Sequence, residues 1–222
     1  MIMAIDGPAG SGKSSTARAV ARELGFRHLD SGAFYRAITW AAIRRGIPPA
    51  EWHQLDATQL ESFDVSAEPA DTGFRMLLAG SDISEPIRKA EVNALVSAMA
   101  RLPNVRAWLL DTLRRTAHRT DLVADGRDMG TVVFPDADLK IFLVADPIVR
   151  ATRRLEQMGL ATDDVSVADE VSRIEDRDRA DSSRDVAPLR QADDAVLLDT
   201  TNLTFAEQVG CIVELARDRL AS

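Results

Sequence analysis

Five short apolar runs punctuate the chain, and the segments between them change period. The first, "MIMAI" (Met1 to Ile5), stops at Asp6-Gly7-Pro8 and predicts a buried strand followed by a turn. "FRHLD" (Phe26 to Asp30) predicts a second strand, "LVAD" (Leu122 to Asp125) and "DLKIFLVA" (Asp138 to Ala145) two more, and "AVLLDT" (Ala195 to Thr200) a last one. Helical spacing fills the gaps. Ser14 to Gly25 is alanine-rich and ends at a glycine suited to a helix C-cap, and Thr204 to about Arg219 is amphipathic. Apolar strands alternating with helices imply an α/β fold: a parallel sheet with helices on both faces. One segment departs from that rhythm. Between about Ser62 and Gly80 two strand-like runs flank a Pro/Asp/Thr/Gly turn, which predicts an antiparallel hairpin, and helical sequence follows from about Glu85 to Ala117. This pattern predicts a small α+β insert in an α/β core.

Composition narrows the function classes. The 222 residues are 45% hydrophobic and 28% charged, enough to build a sizeable core. A single cysteine, Cys211, excludes an internal disulfide and thiolate metal clusters, as expected of a reducing compartment. No run approaches the roughly 20 apolar residues of a membrane span, and the chain starts on strand-like sequence rather than a basic signal region. A cytoplasmic protein is expected. The net charge of −8 argues against a nucleic-acid-binding role. No oligomerisation seam stands out, and a monomer is expected. Among 27 basic residues only Lys13, Lys89 and Lys140 are lysines. The rest are arginines, the planar donors suited to phosphate and carboxylate.

The most informative stretch follows the first strand. Gly7, Pro8, Ala9, Gly10, Ser11, Gly12, Lys13, Ser14 and Ser15 contain the G-x-x-x-x-G-K-[ST] pattern, with a strand before it and a helix after it. Glycines there let backbone N–H groups wrap a phosphate, and the helix N-terminus adds positive potential. Lys13 would bridge the β- and γ-phosphates of a nucleoside triphosphate, and Ser14 would ligate Mg2+. For Asp125 two readings stand side by side: a second acid for Mg2+, or a turn aspartate before Gly126. The phosphoryl acceptor needs separate evidence. No Asn-Lys-x-Asp element marks a guanine-reading switch, and nothing marks a residue that orients water. An acceptor that is itself a phosphate needs no strong general base. It needs cations that hold two anions in line and a lid that excludes water. Arg36 follows the second strand, Arg127 follows the third, and Arg150, Arg153 and Arg154 begin a helix leading to Gly159. Competing readings are another P-loop small-metabolite kinase and, from a different class, a P-loop ATPase or GTPase switch.

The blocks "IDGPAGSGKSS", "LDSGAFYR", "ADGRDMGTVVFPDADLKIFL" and "RDRADSSRDVAPLRQADDAVLLDTTNLT" resemble the bacterial cytidylate (CMP/dCMP) kinases over essentially the whole chain. The resemblance implies ATP-dependent phosphorylation of CMP and dCMP with Mg2+. It implies a P-loop core at residues 1–31 and 104–222, with a lid at about 151–176. The nucleoside-monophosphate-binding region would be 32–103, with its hairpin at about 62–80. It further implies base contacts from Asp128, Ser97, Arg106 and Arg184, acceptor-phosphate contacts from Arg36, Arg127 and Ser31, and pentose contacts from Arg177 and Asp181. A lid arginine, Arg153 or Arg154, would neutralise the transferring group. Phe34 stands where the family often has an aliphatic residue, and Met158 to Ser172 matches only loosely. On one helix, Arg177, Asp181 and Arg184 fall at i, i+4 and i+7 and form a single face. Asp178, Arg179 and Asp185 would point elsewhere as ordinary solvated or paired charges, and Pro188 would end the helix.

Overall fold

Five parallel strands in the order β2-β6-β1-β7-β8 form the central sheet of the computed structural model, which describes residues 1–118 and 120–221. They are β1 (Ile2–Asp6), β2 (Arg27–Asp30), β6 (Leu122–Gly126), β7 (Leu139–Val144) and β8 (Val196–Asp199). Period-two alternation assigns their side chains to the two faces. Met3 and Ile5 pack with Val123, Ile141 and Leu143 against α1 (Lys13–Leu24) and α8 (Phe205–Leu220). Ala4, Leu122 and Ala124 point the other way, toward α2 (Ser31–Arg44) and α5 (Pro103–Thr116). Both faces are covered, so the inner strands are mostly apolar, with Asp6 and Asp125 at the C-terminal ends of β1 and β6 and Lys140 in β7 as the charged exceptions. Helix starts follow side-chain chemistry. Asp30 accepts the Ala33 N–H at the head of α2, and Thr204 and Glu207 form a reciprocal capping box at the head of α8.

The insert contains α3 (Ala57–Ser62) and an antiparallel pair, β3 (Val65–Ala70) and β4 (Gly73–Leu78). A short strand absent from the sequence expectation, β5 (Ser81–Asp82), extends the pair to three. The helical stretch expected from Glu85 to Ala117 is present and is interrupted at Pro103, as the proline in its sequence indicates. It divides into a 3-10 turn (Pro86–Arg88), α4 (Ala90–Met99) and α5, because Pro103 takes the first position of a new helix. The turn between β3 and β4 returns to the core, where the Thr72 carbonyl accepts the His28 backbone N–H at 2.9 Å.

Two helix boundaries beyond β7 differ from expectation. α6 (Pro147–Met158) begins at Pro147 under an Asp146 cap, so Arg150, Arg153 and Arg154 lie inside the helix. α7 (Asp164–Ser182) stops well before Pro188, and Ala187 takes a left-handed φ of 50° in the segment that follows. Arg184 therefore lies beyond the helix rather than on its i+7 position. Between β6 and β7 the chain makes one π-helical turn, Met129–Val133, a form common at functional sites.

Candidate functional site

The C-terminal ends of β1, β2 and β6 open into a cavity of about 1010 Å3, at the edge where parallel sheets hold ligands. The loop from Gly7 to Gly12 forms its floor. Gly7 lies so close to β7 that a Cβ would collide with the Leu143 carbonyl oxygen, and its φ of 156° also favours glycine. Gly12, at φ 84°, turns the loop into α1. Lys13 Nζ donates to the Pro8 carbonyl at 3.0 Å. Burial, reinforced by the charges of Arg127 and Arg177, pushes its pKa well below the ordinary lysine value.

Two side chains, from α6 and α7, hold the loop at Ala9. The Ala9 N–H donates to Asp178 Oδ1 at 2.7 Å, and Arg150 Nη1 donates to the Ala9 carbonyl at 2.8 Å. Arg150 and Asp178 also pair with each other at 2.5 Å. Of the two readings expected for Asp178, a solvated or a paired charge, the structure shows the paired one, but placed at the phosphate loop rather than on open surface.

Ser14 and Asp125 meet at the head of α1. Ser14 Oγ donates to Asp125 Oδ2 at 2.5 Å, and His28 Nε2 lies 2.6 Å from Asp125 Oδ1. Ser31 Oγ donates to the Asp125 carbonyl at 2.8 Å. Burial opposes ionisation of Asp125, but the His28 bond and charge, with the Ser14 bond, hold its pKa below the usual carboxylate value. The pair fits Mg2+, which takes few protein oxygens and completes its shell with phosphates and water. With its proton directed at Asp125, Ser14 Oγ keeps lone pairs free. Among the described residues no group of three or more His, Cys, Asp and Glu side chains could hold a metal, so the rest of the shell would come from ligand and water.

The opposite end of the cavity is lined with arginines and carboxylates. Arg127 Nε donates to Asp181 Oδ2 at 2.8 Å, and Arg184 pairs with the other Asp181 oxygen. Arg106 pairs with Asp128, donates to the Ala100 carbonyl at 3.1 Å and stands over the Tyr35 ring. Burial raises the Asp128 pKa against the pull of Arg106, whereas Arg127 and Arg184 overcome burial at Asp181 and lower it. The Nε of Arg177 is buried without a hydrogen-bond partner, and burial with the charge of Arg127 brings its pKa down to about 10. Arg36 Nε reaches Asn93 Oδ1 at 3.2 Å, and Ser97 lines the same wall. Ser31, Arg36, Ser97, Arg106, Arg127, Asp128, Arg177, Asp181 and Arg184 thus share one cavity with Lys13 and Ser14. The two lid arginines diverge. Arg153 donates to Thr200 Oγ1 at 3.1 Å and to the Thr200 carbonyl at 2.8 Å, beside α8, while Arg154 pairs with Glu170 at 2.5 Å.

Several functional groups lie outside the sequence expectation. Asp6 accepts from the Met129 and Gly130 N–H groups, both at 2.8 Å, and so orients the turn that follows Asp128. Burial, with the charge of Asp128, pushes Asp6 up to about 6. Its position at the end of the first strand was the available signal. His28 lies inside a strand and Asp178 inside a charge-dense helix, and neither has a spacing that marks it. Phe205, half exposed on the cavity wall beside Gln208, looks from sequence like any helix-start apolar residue.

Comparison with known proteins places this arrangement. The family model for cytidylate kinase matches residues 3–218. A cytidylate kinase of Mycobacterium leprae is 44% identical over 223 residues, covering 99% of this chain and 96% of that protein. A bifunctional pantoate ligase/cytidylate kinase of a Synechococcus strain is 48% identical over 219 residues, which are 98% of this chain but only 43% of that protein. The chain thus spans less than half the length of such bifunctional relatives. Among solved structures, an uncharacterized protein from Eubacterium ventriosum shares the fold with a TM-score of 0.53 at 11% identity, over 97% of both chains.

Proposed function

The chain belongs to the cytidylate kinase family, and we propose that it transfers the γ-phosphoryl group of ATP to CMP and dCMP, giving CDP and dCDP. The observation that carries this reading is one cavity with a phosphate loop at one end and the buried Asp128–Arg106 pair at the other. Cytosine presents an N4 amine donor and the N3 and O2 acceptors, which match a carboxylate beside guanidinium donors. Asp128 accepts from the amine, while Arg106, Arg184 and Ser97 serve the ring acceptors. Asp181 and Arg177 hold the pentose. Arg36 and Arg127 hold the acceptor phosphate. That phosphate is already an anion, so no carboxylate need act as a strong base.

The donor phosphates lie on the N–H groups of Gly10 to Ser14, with Lys13 over the β/γ bridge. Ser14 and Asp125 would hold Mg2+, which would supply charge neutralisation at the donor phosphates. Both Arg153 and Arg154 line the cavity, and of the two Arg154 suits the transferring group, since it is partly exposed and held by its ion pair with Glu170, whereas Arg153 is tied to the backbone. Arg153, tied to the Thr200 backbone, forms the donor-base wall with Phe205. The boundaries belong to the same proposal: core 1–31 and 104–222, monophosphate-binding region 32–103, lid about 151–176. A monomer as the working unit is part of the same proposal. Coupled ADP release with CMP, dCMP, UMP and AMP as acceptors tests the reading. CMP and dCMP should turn over fastest, and AMP turnover well above CMP would overturn it.

A further inference from the structure

His28 stands between two parts of the molecule that the proposed chemistry treats separately. Its backbone belongs to the edge strand β2, where its N–H donates to the Thr72 carbonyl at the hairpin turn. A Cβ on Gly73 would lie 2.9 Å from the His28 carbonyl oxygen, so the turn packs directly onto this residue. Its side chain, 6% exposed, points the other way and meets Asp125 Oδ1 at 2.6 Å.

The Asp125 carboxylate is acceptor-only when ionised, so the nitrogen facing it carries the proton. Oδ1 accepts from His28 and Oδ2 accepts from Ser14, so a donor holds each oxygen and the carboxylate cannot rotate without breaking one bond. That orientation decides what Ser14 can do. A hydroxyl that donates to Asp125 presents its lone pairs to the cavity, whereas one that accepts does not. Lys13 adds a competitor. Its ammonium is close enough to interact with Asp125 electrostatically, yet its hydrogen bond goes to Pro8. A carboxylate released from His28 is free to turn toward that ammonium and away from Ser14.

We propose that His28 is a positioning residue for the cation-binding pair, holding Asp125 so that Ser14 offers its lone pairs to a divalent cation. The proposal rests on the reading of Ser14 and Asp125 as Mg2+ ligands given above. Residues that orient ligands from behind typically contribute tenfold to hundredfold in metal affinity.

The test uses His28→Phe, a ring without a donor, and His28→Gln, which retains an N–H donor. Calorimetry measures the affinity of a non-hydrolysable ATP analogue with Mg2+ and with EDTA, and the ratio isolates the contribution of the cation. His28→Phe should lower that ratio by about tenfold or more, while leaving metal-free nucleotide affinity and the KM for CMP within about threefold of wild type. His28→Gln should restore most of the ratio. An unchanged ratio in His28→Phe overturns the proposal. So does an equal loss of metal-free nucleotide and CMP affinity, which would mark a purely structural role. If the wild-type protein itself gains nothing from Mg2+, the cation-site reading fails first and the inference fails with it.

Discussion

Replacing Asp178 by alanine removes two interactions at once from the backbone of the phosphate loop. Asp178 Oδ1 loses the Ala9 N–H, and Oδ2 leaves Arg150, whose side chain is only 7% exposed. The stranded guanidinium keeps the Ala9 and Ala145 carbonyls but no countercharge. Breaking a buried pair from one side costs about 3–5 kcal/mol, and the 18% exposure of Asp178 lets water reach the gap and favours the lower end. About 3 kcal/mol in a chain of this size lowers Tm by roughly 6–12 °C. A loop displaced at Ala9 also misplaces the donor phosphates, so kcat/KM for ATP should fall by about tenfold to hundredfold, with the KM for CMP little changed. Asp178→Asn keeps an acceptor for Ala9 and should recover about half of the stability. Asp181→Ala gives the contrasting pattern. It releases Arg127 and Arg184 at the acceptor end and should raise the KM for CMP while sparing ATP. Thermal denaturation and two-substrate kinetics separate the two variants. A double-mutant cycle with Arg150→Ala should give a coupling energy of about 1.5 kcal/mol or more. An Asp178→Ala protein with wild-type Tm and wild-type ATP kinetics would refute the clamp and return Asp178 to the surface.

Lys13→Met should lower kcat by roughly a hundredfold or more, because its contact strengthens as charge develops in transfer. Burial and the neighbouring arginines disfavour the Lys13 ammonium in the ligand-free protein, so the same variant should melt no lower than wild type. Wild-type turnover, or a marked loss of Tm, would contradict that role. Asp6 should titrate near 6 in a carboxyl NMR experiment, and a midpoint near 4 would contradict its burial. Its folded pKa lies above the unfolded value, so the folded state binds the proton more tightly. The stability from Asp6 is then complete below about pH 4 and declines as pH rises to about 6, by about 3 kcal/mol in order of magnitude.

The sheet and its phosphate loop were legible because their signals are local. Apolar runs of strand length followed by turn residues can hardly form anything else, and the Gly7 to Ser14 spacing has meaning only between a strand and a helix. The charge-dense end of α7 was harder to read. Helical spacing places Arg177, Asp181 and Arg184 on one face, but only the fold decides that α7 ends at Ser182. Arg184 still reaches Asp181 because the segment beyond the helix folds back, with Leu189 N–H donating to the Asp181 carbonyl. The left-handed Ala187 lies in that return, and alanine gives no warning of it. The placement of Asp178 was missed for a related reason. Which side of a polar helix faces the protein depends on a loop more than 150 residues away in sequence. His28 was silent because a histidine in a strand is as well explained by a buried structural hydrogen bond.

The two bonds from Asp6 bear on how such an enzyme could change its acceptor. One carboxylate is both the last residue before the phosphate loop and the anchor for Met129 and Gly130, directly after Asp128. On the proposed assignment, the span from donor phosphate to acceptor base is thereby fixed by adjoining strands, in whose register Asp6 stands opposite Gly126. On the same assignment the insert takes no part in setting that distance. A lineage, or a designer, could exchange the hairpin region for one shaped to another monophosphate and inherit the calibrated span unaltered. A change at Asp6 would instead misalign every acceptor to the same degree.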